Sequence, residues 1–346
     1  MKIFNIIMNR KLGGAEQAFL DYSNALTLKG STVINITSSF AQINDRKISS
    51  IKLPNLVPWC LISKLYLKLL TLFYKPDLII VHGGRAVNFA YGASIKNIVV
   101  IGVTHSYSTR HILKCNYIIA LDLLLKKHLV DQGYPDSQIF IVPNMINTPP
   151  KKLDNIVLKK TDYVIGALGR FVPEKGFNYL IEAISILRDR RYNVKLMLGG
   201  AGSLERQLKK LVIDINIKNN VEFIGWIKDK KSFFEEIDIF CIPSVFETFG
   251  IVALEAMSQQ VAIVSTKTSG ASQIFEPDMD ALLTKTASSQ DLADKIAYLI
   301  DNPDKRRELK NNAYNKIISR YDTQVIANIL LEILENISSL SANPKP

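Results

Sequence analysis

Short apolar runs alternate with amphipathic stretches along the whole chain. In the first half, apolar runs that close on polar or glycine residues predict β-strands. They are MKIFNIIM, STVINITS, PDLIIVHGG, NIVVIGVTHS, YIIALD and QIFIVPN. Between the first two runs, Ala18, Leu20, Tyr22 and Leu26 recur at roughly helical spacing and predict a helix. Apolar runs without polar alternation are typical of strands buried on both faces of a parallel sheet.

The alternation restarts after a break at Pro149 and Pro150. The predicted strands are then DYVIGALGR, VKLMLGG, VEFIGW, IDIFCIPS and AIVST, with the helices FNYLIEAISILRD, LERQLKKLVID and IVALEAMSQ among them. The predicted fold class is therefore α/β, with two Rossmann-like, doubly wound parallel-sheet domains facing a central cleft, which is the default ligand site. The predicted boundaries are 1–147 for the first domain, 148–160 for a linker, 161–322 for the second domain, and 323–346 for a C-terminal helix and tail.

Composition indicates a two-domain globular protein, since 47% of the 346 residues are apolar and 22% are charged. No apolar stretch reaches the roughly 18 residues that span a bilayer. The N-terminal run contains Asn5 and Asn9, which favours a first strand over a signal peptide. Cys60, Cys115 and Cys241 are far apart, form no metal-binding pattern and indicate a reducing compartment. We therefore expect a cytoplasmic protein.

The formal net charge of +11 predicts attraction to polyanions: nucleic acid, anionic lipid or phosphorylated substrates. The segment from Trp59 to Lys75 places Lys64, Lys68 and Lys75 among leucines and aromatic residues. If helical, it offers a cationic, amphipathic face that suits peripheral attachment to the cytoplasmic face of a membrane. A core-packed helix with a lysine edge fits the same pattern, and both interpretations stay open. The lysines are scattered and no nucleic-acid-binding module is recognisable, so no nucleic-acid partner is predicted.

Loops after the strands of the second domain carry candidate binding residues, because ligands of open α/β sheets bind beyond the carboxyl ends of the strands. Arg170 and Lys175 flank a turn before a helix N-terminus, which suits a phosphate; a basic surface turn is the alternative. Gly200 and Gly202 would let the backbone approach a ligand. A dinucleotide fingerprint fails there because Glu205 stands at the third glycine position, and a tight turn is the alternative.

Two glutamates stand near the start of a predicted apolar helix. Glu247 follows the strand IDIFCIPS, and Glu255 lies about one turn into the helix that begins near Ile251. A carboxylate accepts two hydroxyl hydrogen bonds at once, as a ribose diol requires. Glu247 could simply favour the helix N-terminus. An unpaired Glu255 among apolar neighbours would be costly to bury, which favours a functional role.

Two glutamates separated by seven residues are also the motif of glycosyltransferase family 4, retaining enzymes of the GT-B fold, and this chain resembles that family. Further segments occur in the family's order along nearly the whole chain. They are GRFVPEKGFNYLIEA, GGAGSLERQL, VEFIGWI, PSVFETFGIVALEAM and STKTSGASQIF. The resemblance implies a hexosyltransferase-type enzyme. Such an enzyme moves a sugar from a nucleotide diphosphate, most commonly UDP, to a saccharide or lipid-linked acceptor such as lipopolysaccharide or another cell-envelope polysaccharide.

The resemblance also implies roles for individual residues. Glu255 would bind the ribose and Glu247 the transferred sugar, while His105 would lie at the reactive centre. A histidine after a strand is by itself more often structural, and the motif match favours function. The implied catalytic residues are His105, Glu247, Arg170 and Lys175. The implied donor-binding residues are Gly13, Gly14, Arg170, Lys175, Gly200, Ile227, Glu247, Thr248, Phe249, Gly250 and Glu255.

These residue types suit glycosyl transfer, which develops positive charge on the sugar and negative charge on the leaving diphosphate. Arg170 and Lys175 can stabilise the leaving group electrostatically. No Asp-x-Asp motif suited to a nucleotide sugar is recognisable, so neither a metal nor another cofactor is predicted. The family often has Gly-Gly and Glu where this chain has Ser269-Gly270 and Gln273, and it commonly has serine where this chain has Asp122.

Three other functions remain as alternatives. A GT-B enzyme could epimerise or hydrolyse its nucleotide sugar instead of transferring the sugar. An NAD-dependent oxidoreductase would have the same domain class, but the incomplete glycine fingerprint argues against it. A nucleic-acid-binding protein is suggested by net charge alone.

Overall fold

The computed structural model describes residues 1–9, 13–42, 48–54, 60–93, 98–151, 161–227 and 229–342. The chain forms two compact units. The first comprises Met1–Met145 and the segment from Tyr321 onward, and the second comprises Ile146–Arg320. Each unit contains one parallel sheet with helices, so the predicted pair of parallel-sheet α/β domains is confirmed. Most of the predicted linker, Trp59 and the last four residues of the predicted tail lie outside the described residues.

The first unit contains a seven-stranded parallel sheet in the order β3-β2-β1-β4-β5-β6-β7. Its strands are β1 (Lys2–Ile7), β2 (Thr32–Ser38), β3 (Ile51–Leu53), β4 (Leu78–His82), β5 (Val99–Thr104), β6 (Tyr117–Ala120) and β7 (Ile139–Ile141). Its helices are α1 (Gly14–Leu28), α2 (Leu61–Tyr74), α3 (Gly84–Gly92), α4 (Leu123–Asp131) and α12 (Thr323–Ala342). Chain order reverses between β1 and β4, so the loops after these two strands start side by side.

The C-terminal helix α12 belongs to the first unit. Ile326, Leu330, Leu334 and Ile337 are fully buried in one core with residues of α1 and of the sheet, among them Tyr22. Burying these four side chains ties the end of the chain to its beginning, at about 1.5–3 kcal/mol for each fully buried side chain.

The second unit contains a six-stranded parallel sheet in the order β10-β9-β8-β11-β12-β13. Its strands are β8 (Tyr163–Leu168), β9 (Val194–Gly199), β10 (Val221–Gly225), β11 (Ile239–Ile242), β12 (Ala262–Thr266) and β13 (Leu282–Thr284). Its helices are α5 (Phe177–Asp189), α6 (Glu205–Asp214), α7 (Lys230–Glu236), α8 (Ile251–Ser258), α9 (Ser269–Ile274), α10 (Ser289–Asp301) and α11 (Pro303–Lys316). Chain order reverses between β8 and β11, which creates a second switch point.

Helix α2 has an unusual distribution of side chains. Its buried positions are Ser63, Leu67, Leu70 and Thr71, and both hydroxyls donate hydrogen bonds to carbonyl oxygens. Its exposed positions are largely apolar and comprise Leu61, Ile62, Leu65, Tyr66, Leu69, Leu72 and Phe73. The helix therefore packs on the first unit through a narrow mixed face and leaves most of its apolar surface exposed. Among the helices that the structure describes, none has both the length and the hydropathy for a bilayer crossing.

Candidate functional site

The residues predicted to bind the donor in the second unit all follow the carboxyl ends of its strands. Arg170 and Lys175 follow β8, Gly200 follows β9, Ile227 follows β10, and Glu247, Thr248, Phe249, Gly250 and Glu255 follow β11. Parallel strands end at one edge of a sheet, so these loops share that edge. β8 and β11 are adjacent at the switch point, so their two loops come into contact.

An ion pair joins the two loops at the switch point. The Lys175 ammonium contacts Glu247 Oε2, and the side chains are only 20% and 16% exposed. The backbone N–H groups of Val245 and Phe246 donate to the carbonyl of Glu174, at 2.8 Å and 3.2 Å. The structure thus brings together two predicted residues, one assigned to the diphosphate and one to the sugar. These two groups are bonded neighbours in a nucleotide sugar, so adjacent binding residues are what such a ligand requires.

Glycine is required where the two loops approach each other. Gly176 has φ +61° and is the N-cap of α5, and a Cβ there would overlap the carbonyl oxygen of Pro243, which directly follows β11. Gly250 has φ +86° and is the N-cap of α8. Both φ values lie in the left-handed region that glycine adopts without strain. The Lys175 loop therefore approaches β11 closely only because position 176 carries no side chain.

The start of α9 supports the loop that carries Glu247. The Glu247 carbonyl accepts hydrogen bonds from the Gly270 N–H at 3.0 Å and from the Ser269 hydroxyl at 3.1 Å. A Cβ at Gly270 would lie 2.8 Å from the carbonyl carbon of Thr248. Ser269, where the sequence departs from the family's Gly-Gly pattern, and Gly270, which matches it, thus both bind the backbone of the Glu247 loop. No local sequence signal indicates this role.

Glu255 pairs with a lysine that sequence analysis missed. Its Oε1 lies 2.5 Å from Nζ of Lys230, the first residue of α7. The Glu255 side chain is only 13% exposed, and its Oε2 is buried with no hydrogen-bond partner in the described part of the chain. A buried acceptor without a donor costs about 1–3 kcal/mol. The arrangement suits a carboxylate that completes its hydrogen bonds with a ligand.

Arg170 and the glycines of the β9 loop have different surroundings. Arg170 is exposed, and no carboxylate within the described ranges pairs with it, so its guanidinium is available to an anion. A Cβ at Gly200 would overlap the carbonyl oxygen of Gly169, and one at Gly202 would overlap that of Phe171. These two glycines let the β9 loop pack against the Arg170 loop. Their geometry is that of a tight turn, and the donor-binding role of Gly200 stays a prediction.

The loop after β10 presents an aromatic side chain. The Ile227 side chain packs against Gly199 at the end of β9. The contact is so close that a Cβ at Gly199 would overlap the Ile227 side chain. The neighbouring Trp226 is 58% exposed. Trp226 therefore offers an open ring surface next to Ile227, one of the predicted donor-binding residues.

The first unit has its own group of predicted residues at the carboxyl edge of its sheet. Gly13 and Gly14 lie at the N-terminus of α1, after β1, and the Gly13 carbonyl accepts from the N–H of Gln17 at 3.2 Å. His105 directly follows β5, and its Nε2 lies 3.1 Å from Nδ1 of His82, the last residue of β4. Burial lowers the pKa of His105 to about 4, so its imidazole is neutral at physiological pH.

Within the residues that the structure describes, no group of three or more His, Cys, Asp or Glu side chains forms a cluster that could hold a metal ion. Metal independence itself stays a prediction.

Comparison with known proteins finds a family match within the second unit. Residues 150–316 match the family model described as "Glycosyl transferases group 1". The lipopolysaccharide core biosynthesis glycosyltransferase LpsE of Rhizobium meliloti (strain 1021) is 29% identical over 171 residues, which are 49% of each chain. The match thus spans about half the length of that relative. An uncharacterized glycosyltransferase of Haemophilus influenzae is 26% identical over 328 residues, 88% of this chain and 91% of the relative.

Solved structures share the complete fold. The crystal structure of Anabaena HepE in complex with UDP superposes with a TM-score of 0.82 at 22% identity, covering 97% of this chain and 100% of that one. Another structure of HepE contains UDP-glucose. The fold is thus that of the GT-B glycosyltransferases. Residues 150–316 are thus similar to the glycosyl transferases group 1 domain, and the two relatives described are glycosyltransferases.

Proposed function

We propose that this protein is a retaining glycosyltransferase, of hexosyltransferase type, that moves a sugar from a UDP-sugar to a saccharide or lipid-linked acceptor of the cell envelope. The observation that carries the proposal is the pair of lysine–glutamate contacts, Lys175 with Glu247 and Lys230 with Glu255, at one edge of the second sheet. HepE, a structural neighbour, binds UDP and UDP-glucose, which supports the choice of donor. LpsE takes part in lipopolysaccharide core biosynthesis, which supports the choice of acceptor.

Each charged group has a role in this reaction. Glu255 accepts hydrogen bonds from the ribose hydroxyls, for which its unpartnered Oε2 is suited. Arg170 and Lys175 bind the diphosphate and stabilise the negative charge that it gains when the sugar–oxygen bond breaks. Glu247 accepts hydroxyl hydrogen bonds from the sugar, and the sugar acceptor attacks on the face from which the diphosphate departs. Family 4 membership, retention and metal independence are parts of this proposal.

The donor is tested by thermal unfolding with UDP, GDP, ADP and NAD, followed by transfer assays in EDTA. A nucleotide present at about 100 times its dissociation constant stabilises the protein by roughly 2.7 kcal/mol. We expect UDP to give the largest shift, and transfer from a UDP-sugar to persist in EDTA. Stabilisation by NAD alone would contradict the proposal and favour an oxidoreductase. Product analysis with and without sugar acceptor separates transfer from epimerisation or hydrolysis.

A second proposal concerns the exposed face of α2, which we infer to lie on an anionic membrane surface. Leu61, Leu65, Leu69 and Leu72 are each more than half exposed, and Lys68 lies exposed among them. An apolar stripe beside cationic residues is the pattern of interfacial helices, and the net charge of +11 adds long-range attraction. The occupant proposed is a lipid surface and not a protein, because that cationic charge complements an anionic bilayer.

Co-sedimentation with vesicles of anionic lipid at low salt tests this surface. The double substitution Leu65→Glu and Leu69→Glu is expected to reduce binding at least tenfold, since each substitution removes about 1.5–3 kcal/mol of apolar burial. The control is Ile213→Glu, which changes a residue that is 63% exposed on α6 of the second unit. Wild-type protein that stays in the supernatant with anionic vesicles would contradict membrane docking.

A further inference from the structure

A chain of buried hydrogen bonds leads from the core of the first unit to His105. Nε2 of His105 lies 3.1 Å from Nδ1 of His82, and the two rings are nearly parallel, with centroids 5.4 Å apart and an interplanar angle of 13°. His82 is fully buried at the end of β4 and is enclosed by the ring edges of Phe19 and Tyr22. Its other nitrogen, Nε2, lies 3.0 Å from Oδ1 of Asn5 on β1.

The orientation of the Asn5 amide follows from its other partners. Its nitrogen donates to the main-chain carbonyl of Phe19 at 3.0 Å and to Oδ1 of Asn35 at 3.2 Å. A carbonyl oxygen can only accept, so a flipped amide would set two acceptors against each other at Phe19. Asn35 is held in turn by donating to the Ser23 hydroxyl at 2.8 Å. The oxygen of Asn5 therefore faces His82.

This orientation determines where the protons lie on both imidazoles. Asn5 Oδ1 accepts, so Nε2 of His82 must carry the proton and its Nδ1 must accept. Nε2 of His105 is then the donor to His82. A neutral His105 consequently has its lone pair on Nδ1. Burial lowers the pKa of both histidines, so the neutral forms prevail at physiological pH. Nδ1 of His105 has no hydrogen-bond partner among the described residues.

We propose that Asn5 and His82 are positioning residues that hold His105 as its Nε2–H tautomer, so that Nδ1 accepts a hydrogen bond from a hydroxyl of the transferred sugar. The assignment of the sugar as the partner rests on the proposed function. A neutral acceptor suits this chemistry, because the sugar gains positive charge in the transition state and an imidazolium beside it would oppose that charge. The hydrogen bonds from Asn5 through His82 to His105, here called the relay, also fix the ring plane of His105, since its Nε2–H is directed at the buried Nδ1 of His82.

Nitrogen NMR of histidine-labelled protein at pH 7.5 tests the tautomer directly. The chain has four histidines, and a His105→Asn variant assigns the signals of His105. We expect both His82 and His105 to show the pattern of neutral, Nε2-protonated rings. An Nδ1–H tautomer or an imidazolium at His105 in the wild-type protein would overturn the proposal. This readout needs no enzymatic activity, so it stands whether or not the proposed transfer reaction is found.

Two substitutions at His82 test the positioning role. His82→Leu removes the acceptor for His105, and we expect a mixture of His105 tautomers with kcat lowered about tenfold, the scale of one lost hydrogen bond, and KM changed less. His82→Asn places an amide oxygen near the former Nδ1, so it should restore part of the Nε2–H signal and part of kcat. A single Nε2–H tautomer with unchanged kcat in His82→Leu would overturn the role.

UDP-induced stabilisation reports the folding of the second unit, which contains Glu255 and Lys175, and the circular dichroism spectrum and thermal melt of each His82 variant show whether the first unit has folded as well. Both His82 variants should keep UDP-induced stabilisation. If His82→Leu does not fold, the proposal is tested by the wild-type spectrum and by His82→Asn. Loss of the Nε2–H pattern at His105 in His82→Asn would overturn the proposal. Absence of UDP stabilisation in the wild-type protein would refute the proposed function and leave the tautomer measurement valid.

Discussion

Replacing Lys175 with methionine is expected to lower kcat for sugar transfer by about 100-fold to 1,000-fold, the usual cost of removing one preorganised stabilising group. The Lys175 ammonium lies at the switch point against Glu247, where a leaving diphosphate would gain charge. Stabilisation that grows in the transition state acts on kcat more than on KM. KM for the UDP-sugar should therefore change less than tenfold. Steady-state kinetics over a range of UDP-sugar concentrations measures both parameters.

The chain offers a matched control for Lys175. Lys209 pairs with Glu205 one turn apart on α6, and both side chains are largely exposed. Exposed pairs of this kind contribute about 0.3–0.5 kcal/mol, so Lys209→Met should leave kcat and stability almost unchanged. A thermal melt of Lys175→Met shows whether Glu247 tolerates the loss of its partner. A kcat within threefold of wild type for Lys175→Met would contradict the proposed role of this lysine.

Glu255→Gln is expected to weaken UDP binding by about 100-fold or more, since each hydrogen bond to a charged group contributes about 1.5–3 kcal/mol and a ribose diol supplies two. The substitution keeps the size of the side chain and removes its charge. Lys230→Met should have a smaller effect, about tenfold, because it leaves Glu255 in place without its ion-pair partner. Isothermal titration calorimetry with UDP gives both affinities.

The control for Glu255 comes from the same exposed pair on α6. Glu205→Gln removes a carboxylate whose side chain is 40% exposed, against 13% for Glu255. UDP affinity in Glu205→Gln should equal that of the wild-type protein. If Glu255→Gln binds UDP as tightly as Glu205→Gln does, the ribose is held elsewhere. If Lys230→Met binds UDP more weakly than Glu255→Gln does, the main contact with UDP is made by the lysine and not by the glutamate.

Local sequence signals predicted most of the sheet strands and the positions of the loops that carry the candidate binding residues. Continuous apolar runs marked the buried strands, and α8 begins at Ile251 as predicted. Strands β3 and β13, with three residues each, were not predicted, whereas the equally short β7 lies within the longer apolar run QIFIV and was predicted. The positions of Glu247 and Glu255 were predicted because both lie in one continuous segment, Glu247 in the loop before α8 and Glu255 in α8 itself.

Partners from distant segments could not be predicted in this way. Lys230 is one of 43 lysines and arginines, and nothing near it in the sequence indicates that it pairs with Glu255. Asn5 and His82 lie on neighbouring strands only because β4 returns to the opposite side of β1 from β2. The support of Glu247 by Ser269 likewise depends on where β12 ends.

The sequence by itself determined the α/β class, the two parallel-sheet domains and the loop positions of the charged residues, because these follow from the period of apolar side chains and from spacing along one segment. The tertiary structure alone decided which charges pair, how the protons on His105 are placed, and that α12 completes the first unit. It also decided which side of α2 is exposed: Ser63 and Thr71 lie inward, and the leucines that could have formed a core lie outward. These features depend on strand order and helix packing, which bring together residues that no local pattern connects.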